Sequence, residues 1–169
     1  MRITDLLKAC SIELNGTPGT KEETIREMVS LMVKAGNIAD QDEYMEGVFA
    51  REEEGTTGIG EGIAIPHAKN DAVRAPGLAA MVIRNGVDYD SMDGEPVKLV
   101  FLIAAPNTEE NVHLEVLSRL SMLLMDESFK DDLLKVQSVE EFLACVDRAE
   151  KAKFEEEKPR ETPEAGYRI

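Results

Sequence analysis

Two histidines are the side chains in this sequence best suited to nucleophilic or acid–base chemistry near neutral pH. They are His67 and His113, the only histidines among 169 residues. An unperturbed imidazole has a pKa of about 6.5, so its neutral form offers a lone pair at pH 7. His67 lies in the segment Ile65-Pro66-His67-Ala68, where we expect it to follow the end of a short strand. Strand ends are common positions for sites in α/β proteins, although the alternative is a surface turn histidine without function.

His113 belongs to a predicted helix from Asn107 to about Met125, in the second turn and on the apolar face. A histidine at such a position is commonly a buried structural residue. However, the helix follows an apolar strand predicted at residues 97–105, so its first turn should lie at the same sheet edge as His67. Helix N-termini present free amides and a positive dipole end, which favour an anion such as phosphate.

Arg51 and the segment Thr56-Thr57-Gly58 supply further candidate anion ligands. A guanidinium binds phosphate oxygens in a bidentate manner, and threonine hydroxyls can donate to the same group. Alternatively, Arg51 belongs to a solvated, charged helix end, and Thr56, Thr57 and Gly58 are ordinary turn residues. The glycine-rich stretch lacks the Gly-Lys-Ser/Thr of phosphate-binding loops and does not match G-x-G-x-x-G, so it does not indicate nucleotide binding.

Motifs for metals and for other common catalytic groups are missing from the sequence. Cys10 and Cys145 are far apart and have no metal-ligand spacing, so we expect reduced thiols and no metal site. Serine nucleophile, zinc protease and calcium-loop motifs are absent as well. We expect no cofactor.

Capping boxes and apolar runs indicate the elements that must position these residues. Three capping boxes mark helix starts, at Thr20 to Glu23, Asp40 to Glu43 and Ser138 to Glu141. Apolar runs mark strands at residues 63–65, 78–83 and 97–105, with a turn expected at Asn85-Gly86. Helices that alternate with strands predict an α/β fold in which helices enclose a small sheet.

Length, composition and charge restrict the class of protein. The 169 residues, 43% hydrophobic and 31% charged, fit one globular domain. Lys and Arg number 19 against 34 Asp and Glu, which gives a net charge of −15. Such an acidic chain is expected to bind nucleic acid and anionic membrane surfaces poorly, because both carry negative charge as well. Without a signal peptide or a long apolar segment, we expect a cytoplasmic protein with no direct membrane contact.

The composition divides the chain into a domain, residues 1–149, and a charged tail, residues 150–169. The tail contains Pro159 and Pro163 and shows no apolar periodicity. We therefore expect a linker that follows the last helix.

The segment from Arg51 to Ala68 resembles a known signature. It reads Arg51-Glu-Glu-Glu-Gly-Thr-Thr-Gly-Ile-Gly-Glu-Gly-Ile-Ala-Ile-Pro-His-Ala68. This is similar to the phosphorylation-site signature of the fructose/mannitol-type (type 2) enzyme IIA domains of the bacterial phosphoenolpyruvate-dependent sugar phosphotransferase system. Four further segments resemble that family, at residues 3–7, 12–15, 94–106 and 111–117. The resemblance covers the chain to residue 149.

The resemblance implies a fold and a reaction. The fold would be a small mixed β-sheet flanked by helices on both faces, and the chain would be a phosphotransferase. His67 would accept phosphate from the phosphocarrier protein HPr and pass it to a cysteine of an enzyme IIB domain. His113 and Arg51 match the family's second histidine and its signature arginine. On this hypothesis His67 attacks through Nε2 while an acceptor holds its other nitrogen, and amides near Thr57 and Gly58 help to stabilise the phosphoryl oxygens.

Two alternatives to a transport role remain at this point. Nitrogen-type IIA proteins and IIA-like domains of transcriptional regulators control partners by phosphorylation-dependent binding, and an acidic binding domain would leave His67 unphosphorylated. The segment Gly166-Tyr167-Arg168-Ile169 resembles the start of a fructose-type enzyme IIB. That ending favours transport and predicts a domain tethered to a membrane-embedded transporter.

Overall fold

The computed structural model describes residues 2–155, which form six helices, six strands and a final π-helical turn at Lys151–Glu155. In chain order the elements are α1 (Ile3–Leu6), β1 (Leu7–Glu13), α2 (Lys21–Lys34), α3 (Gln41–Glu54), β2 (Gly58–Gly60), β3 (Ile63–Ala64), β4 (His67–Asn70), β5 (Gly77–Val87), β6 (Val97–Pro106), α4 (Val112–Leu124), α5 (Glu127–Lys135) and α6 (Val139–Glu150). The IIB-like segment at residues 166–169 lies outside the described residues.

Side-chain caps begin three of the helices, as the sequence predicts. The amide nitrogen lies 3.0 or 3.1 Å from the capping oxygen in the pairs Glu23 and Thr20, Glu43 and Asp40, and Glu141 and Ser138. Each cap satisfies an amide that helix geometry leaves without a partner. After α2 the chain turns at Gly36 with φ of +86°, a conformation that glycine adopts without a Cβ clash.

The six strands form one mixed sheet in the order β1-β5-β6-β3-β2, with β4 also paired to β6. Strand β6 is antiparallel to β5 and parallel to both β3 and β4. Strand β3 pairs with Leu99 and Val100, whereas β4 pairs with the stretch from Ile103 to Pro106. The two short strands therefore follow the same edge of β6, separated only by Ile65 and Pro66.

Helices cover both faces of this sheet, because alternate residues of β6 point to opposite sides. One apolar cluster joins α1, α4, α5 and α6 to Leu99, Phe101 and Ile103. The other joins α2 and α3 to Val100, Leu102 and Ala104. The predicted α/β class, with a small mixed sheet flanked by helices on both faces, is confirmed. Among residues 2–155 the structure has no helix long and apolar enough to cross a membrane.

One strand prediction was incomplete and another was wrong. His67 follows the end of β3 as predicted, but it also begins a further strand, β4, since β6 continues past the break at Pro66 and offers a second pairing partner. Asn85 and Gly86 lie within β5 and do not form a turn that ends it. The pairing of β5 with β6 is irregular there and resumes at Val87, so the asparagine and glycine accommodate a bulge.

The start of α4 was also predicted wrongly. The helix begins at Val112 and not at Asn107, which places His113 in its first turn. Residues 107–111 are exposed and polar, so no apolar side chain draws them onto the sheet. Asn107 instead donates to Asp71 Oδ1 at 3.1 Å.

Candidate active site

His67 is fixed at the break between β3 and β4, where backbone contacts determine the orientation of its ring. Its Nδ1 lies 3.0 Å from the carbonyl oxygen of Ile65, and the amide of Ile103 donates to the carbonyl of Pro66 at 3.0 Å. A carbonyl oxygen only accepts hydrogen bonds, so this contact assigns the ring proton to Nδ1. The lone pair of the neutral imidazole is then on Nε2.

His113 faces His67 from the first turn of α4. The two ring centroids are 6.1 Å apart, with 31° between the ring planes. His113 Nδ1 is buried and has no hydrogen-bond partner among residues 2–155. Burial lowers the pKa of His113, and positive charge on His67 and Lys69 lowers it further. The neutral form is therefore favoured at pH 7, and Nε2 is the ring atom left to contact a ligand.

The two histidines and Arg51 line one open cleft of about 360 Å³. Arg51 reaches it from the last turn of α3, where its Nη1 donates to the carbonyl of Gly55 at 2.8 Å. Helix α3 can approach β4 closely because Gly47 has no side chain. A Cβ there would lie 2.5 Å from the side-chain nitrogen of Asn70. Arg51 is one turn further along the same helix.

Thr56, Thr57 and Gly58 do not line this cleft. The amide and the hydroxyl of Thr57 both donate to the carboxylate of Glu52. The amide of Gly58 donates to Thr56 Oγ1 at 3.1 Å, and that hydroxyl lies 3.4 Å from the carbonyl oxygen of Tyr89. The two threonine hydroxyls and the amides of Thr57 and Gly58 already have partners inside the protein, so the structure does not support the expectation that these three residues bind phosphate.

Glu52, whose carboxylate is buried, is a residue that the sequence analysis missed. Besides Thr57 it accepts a hydrogen bond from the Tyr89 hydroxyl at 3.1 Å and lies 2.9 Å from Lys21 Nζ. Burial and the charge of Glu52 raise the pKa of Tyr89, so the phenol stays protonated as a donor. A helical spacing could have indicated this role, because Glu52 follows Tyr44 and Val48 at intervals of four on the buried face of α3.

Lys69 also lines the cleft and was not among the predicted residues. It lies two positions after His67 in β4, so both side chains project from the same face of the strand. Its Nζ donates to Asn111 Oδ1 at 3.1 Å. No group of three or more metal-binding side chains occurs in the described part of the chain.

Comparisons with known proteins identify the family of this chain. The family model for the phosphoenolpyruvate-dependent sugar phosphotransferase system, EIIA 2, matches residues 5–149. The chain is 46% identical over 151 residues to the fructose-specific EIIABC component of Bacillus subtilis. The aligned region covers 89% of this chain but only 24% of that relative. The chain is 41% identical over 152 residues to the fructose-specific EIIA component of Haloferax volcanii, with 86% and 99% of the two chains covered.

A solved structure extends the comparison to the fold. The crystal structure of the nitrogen regulatory protein IIA-Ntr from Neisseria meningitidis aligns with a TM-score of 0.79 and 33% identity. The alignment covers 85% of this chain and 98% of that one. This chain therefore belongs to the EIIA type 2 family of the phosphoenolpyruvate-dependent sugar phosphotransferase system, and it is a phosphotransferase component of that kind.

Proposed function

We propose that the chain is the phosphoryl-carrier domain of a fructose-specific phosphotransferase system and that His67 carries the phosphoryl group. The observation that carries this proposal is the orientation of His67 in the cleft. The Ile65 carbonyl holds Nδ1 at 3.0 Å, which leaves the Nε2 lone pair as the nucleophile. His113 and Arg51 line the same cleft and supply donors for the phosphoryl oxygens.

Both transfers can proceed without proton exchange at His67. In the first, the Nε2 lone pair forms a bond to phosphorus while the N–P bond of phospho-HPr breaks and returns its electron pair to the donor imidazole. In the second, a cysteine thiolate of enzyme IIB attacks the phosphorus, and the electron pair of the breaking bond returns to Nε2. The proton stays on Nδ1, hydrogen-bonded to the Ile65 carbonyl, throughout both transfers. The protein therefore contributes mainly position and charge stabilisation.

Arg51 and His113 have different parts in that stabilisation. Arg51 is permanently charged and planar, so it can bind two phosphoryl oxygens in a bidentate manner. Arg51 lines the cleft, and its contact with the Gly55 carbonyl restrains the guanidinium. His113 is favoured in its neutral form, so it donates one hydrogen bond without repelling a protonated donor histidine.

HPr and an enzyme IIB domain are the proposed partners. Leu114 lies next to His113 and is 51% exposed, so it offers an apolar contact beside the cleft. The net charge of −15 favours partners with a basic face and a fast, short-lived encounter. The fructose-specific names of both sequence relatives support the sugar. The EIIABC name of one of them supports a cytoplasmic domain tethered to a transporter.

A regulatory role is the second candidate, and the likeness to the nitrogen regulatory protein supports it without favouring it over the carrier role. Such a protein would accept phosphate on the same histidine and would act by binding a target. The recipient of the phosphate therefore distinguishes the two functions.

The proposal is tested by incubation of the protein with phosphoenolpyruvate, enzyme I and HPr, followed by addition of a fructose-type IIB domain. We expect acid-labile phosphate on the peptide that contains His67, and its loss to the IIB cysteine. His67→Ala should accept none, whereas the control His113→Ala should accept phosphate more slowly. No phosphate on His67 in the presence of charged HPr would contradict the carrier role. Stable phosphate without transfer to IIB would favour the regulatory one.

A further inference from the structure

Lys69, one of the residues that line the candidate cleft, makes a polar contact with Asn111. Lys69 extends from β4 on the same side as His67, and Asn111 immediately precedes the helix that carries His113. The Lys69 Nζ lies 3.1 Å from Asn111 Oδ1, and the pair is exposed. An exposed hydrogen bond of this kind costs little to break, because water replaces it.

Lys69 has no carboxylate partner within 4.0 Å among the described residues, 2–155. This is unexpected in a chain with 34 acidic and 19 basic residues. Glu54 is the one carboxylate among the described residues that line the cleft. Two cations, Lys69 and Arg51, therefore face a space that holds few acids, and this arrangement suits a ligand with two negative charges.

The contact also keeps Asn111 from its usual helix-capping role. Thr20, Asp40 and Ser138 each accept from a backbone amide of the helix they begin, whereas Asn111 makes no such side-chain bond to α4. The Asn111 side chain is instead turned toward Lys69. If the lysine left, Asn111 would be free to cap α4, which would offset the lost hydrogen bond.

We infer that Lys69 is a third contact for the phosphoryl group on His67, held by Asn111 before transfer and exchanged onto a phosphoryl oxygen afterwards. This inference rests on the proposed phosphorylation of His67. The exchange makes and breaks only hydrogen bonds. In the phosphorylated state the titratable and charged side chains around the phosphoryl group are Lys69 of β4, Arg51 and Glu54 of α3, and His113 of α4.

The first test compares Lys69→Gln with Lys98→Gln, which removes the same charge at an exposed position of β6. With phospho-HPr as donor, Lys69→Gln should slow phosphorylation about tenfold, the scale of one charge-assisted hydrogen bond. Lys98→Gln should leave the rate unchanged. In ³¹P NMR titrations of the phosphorylated protein, Lys69→Gln should raise the second pKa of the phosphoryl group, and Lys69→Arg should retain most of the wild-type value.

Asn111→Ala distinguishes a phosphoryl contact from a merely structural one. If Lys69 only tied β4 to α4, this variant would slow phosphorylation as much as Lys69→Gln does. Our inference predicts a rate equal to or above that of the wild type, because the lysine no longer has to leave a partner.

An Asn111→Ala variant as slow as Lys69→Gln would overturn the inference, and so would either of two further results, which are distinguishable from each other. If the wild type accepts phosphate and Lys69→Gln matches Lys98→Gln in rate and titration, the role of Lys69 is wrong while the carrier function stands. If the wild type takes no phosphate from charged HPr, the carrier function fails and the inference fails with it.

Discussion

The Nδ1 atom of His67 lies 3.0 Å from the carbonyl oxygen of Ile65, so the residue two positions earlier determines which ring nitrogen can react. Ile65 is held in turn, because its amide donates to the carbonyl of Thr57 at 3.0 Å. Thr57 is fixed by the buried carboxylate of Glu52. A continuous series of hydrogen bonds therefore links α3 to the candidate nucleophile.

Loss of the Glu52–Thr57 contact should slow phosphoryl transfer although neither residue lines the cleft. Thr57→Val keeps the shape of the side chain but leaves a buried carboxylate without one donor, which should cost about 1–3 kcal/mol of stability. The ring of His67 should also be less well oriented, so phosphorylation by phospho-HPr should be slower.

Thr57→Ser is the matched control, because it retains the hydroxyl and should behave like the wild type. The population of the Nδ1–H tautomer of His67 can be read from ring ¹⁵N chemical shifts. If Thr57→Val changes stability but neither the tautomer population nor the rate, the contact serves the fold alone.

His113 should make the protein less stable as the pH falls. Burial holds its folded-state pKa below the ordinary value of 6.5, so the unfolded chain binds a proton first on acidification. The unfolded state therefore carries more protons around and below pH 6.5, and stability rises with pH through that window. His113→Gln should reduce the loss of thermal stability between about pH 7.5 and 5.5.

The pKa of His113 can be measured directly by NMR titration of its ring. We expect a midpoint below 6.5 in the unmodified protein and a higher one after His67 is phosphorylated, because a nearby negative charge favours the imidazolium. A midpoint at or above 6.5 before phosphorylation would contradict the buried environment described for this ring.

Glu150 should stabilise the domain from a position at the predicted boundary of the tail. Its carboxylate is buried and accepts from the amide of Ile3 at 2.7 Å and from that of Thr4 at 3.3 Å. Arg119 Nη1 lies 3.7 Å from this carboxylate, and the guanidinium carbon of Arg119 lies 4.5 Å from the ring centroid of Phe154. Glu150→Ala should lower the free energy of unfolding by about 2 kcal/mol.

The same contacts predict that a chain ending at residue 149 unfolds at lower temperature than one ending at residue 155. Thermal unfolding of both chains checks this, with Lys151→Ala as an exposed control. Equal stability of the two chains would show that Glu150 contributes nothing to the fold. Phosphoryl acceptance by the folded protein should be unaffected, since Glu150 does not line the cleft.

Local chemistry explains which parts of the fold could be predicted. The starts of α2, α3 and α6 depend on a side-chain oxygen and an amide three residues later, so the sequence alone contains the signal. The central strand β6 is buried on both faces, and its continuous apolar run indicates this.

The strand that begins at His67 depends on a partner distant in sequence. Pro66 interrupts pairing and predicts an end, but β6 extends beyond it and pairs with His67 at Ile103. No local pattern reveals that continuation. The position of His113 was predicted one turn too deep for a similar reason, since the polar residues before Val112 have helix-compatible types but no surface to pack on.

The candidate site was predicted in part. His67, His113 and Arg51 lie around one cleft as expected, whereas the donors of Thr57 and Gly58 are used inside the protein. Glu52 is one of three successive glutamates, and its place in the four-residue spacing of Tyr44 and Val48 is the one local signal that distinguishes it from its exposed neighbours. A phosphate-binding role for loop hydroxyls thus cannot be judged without knowing which acceptors lie nearby.

The most direct test of the account is to identify which nitrogen of His67 becomes phosphorylated. Long-range ¹H–¹⁵N correlation spectra of the protein, phosphorylated through enzyme I and HPr, separate Nδ1-phosphohistidine from Nε2-phosphohistidine. The account predicts phosphate on Nε2, with the proton retained on Nδ1 and donated to the Ile65 carbonyl. Phosphate on Nδ1 would contradict it, because the hydrogen bond that orients the ring would then have to be absent.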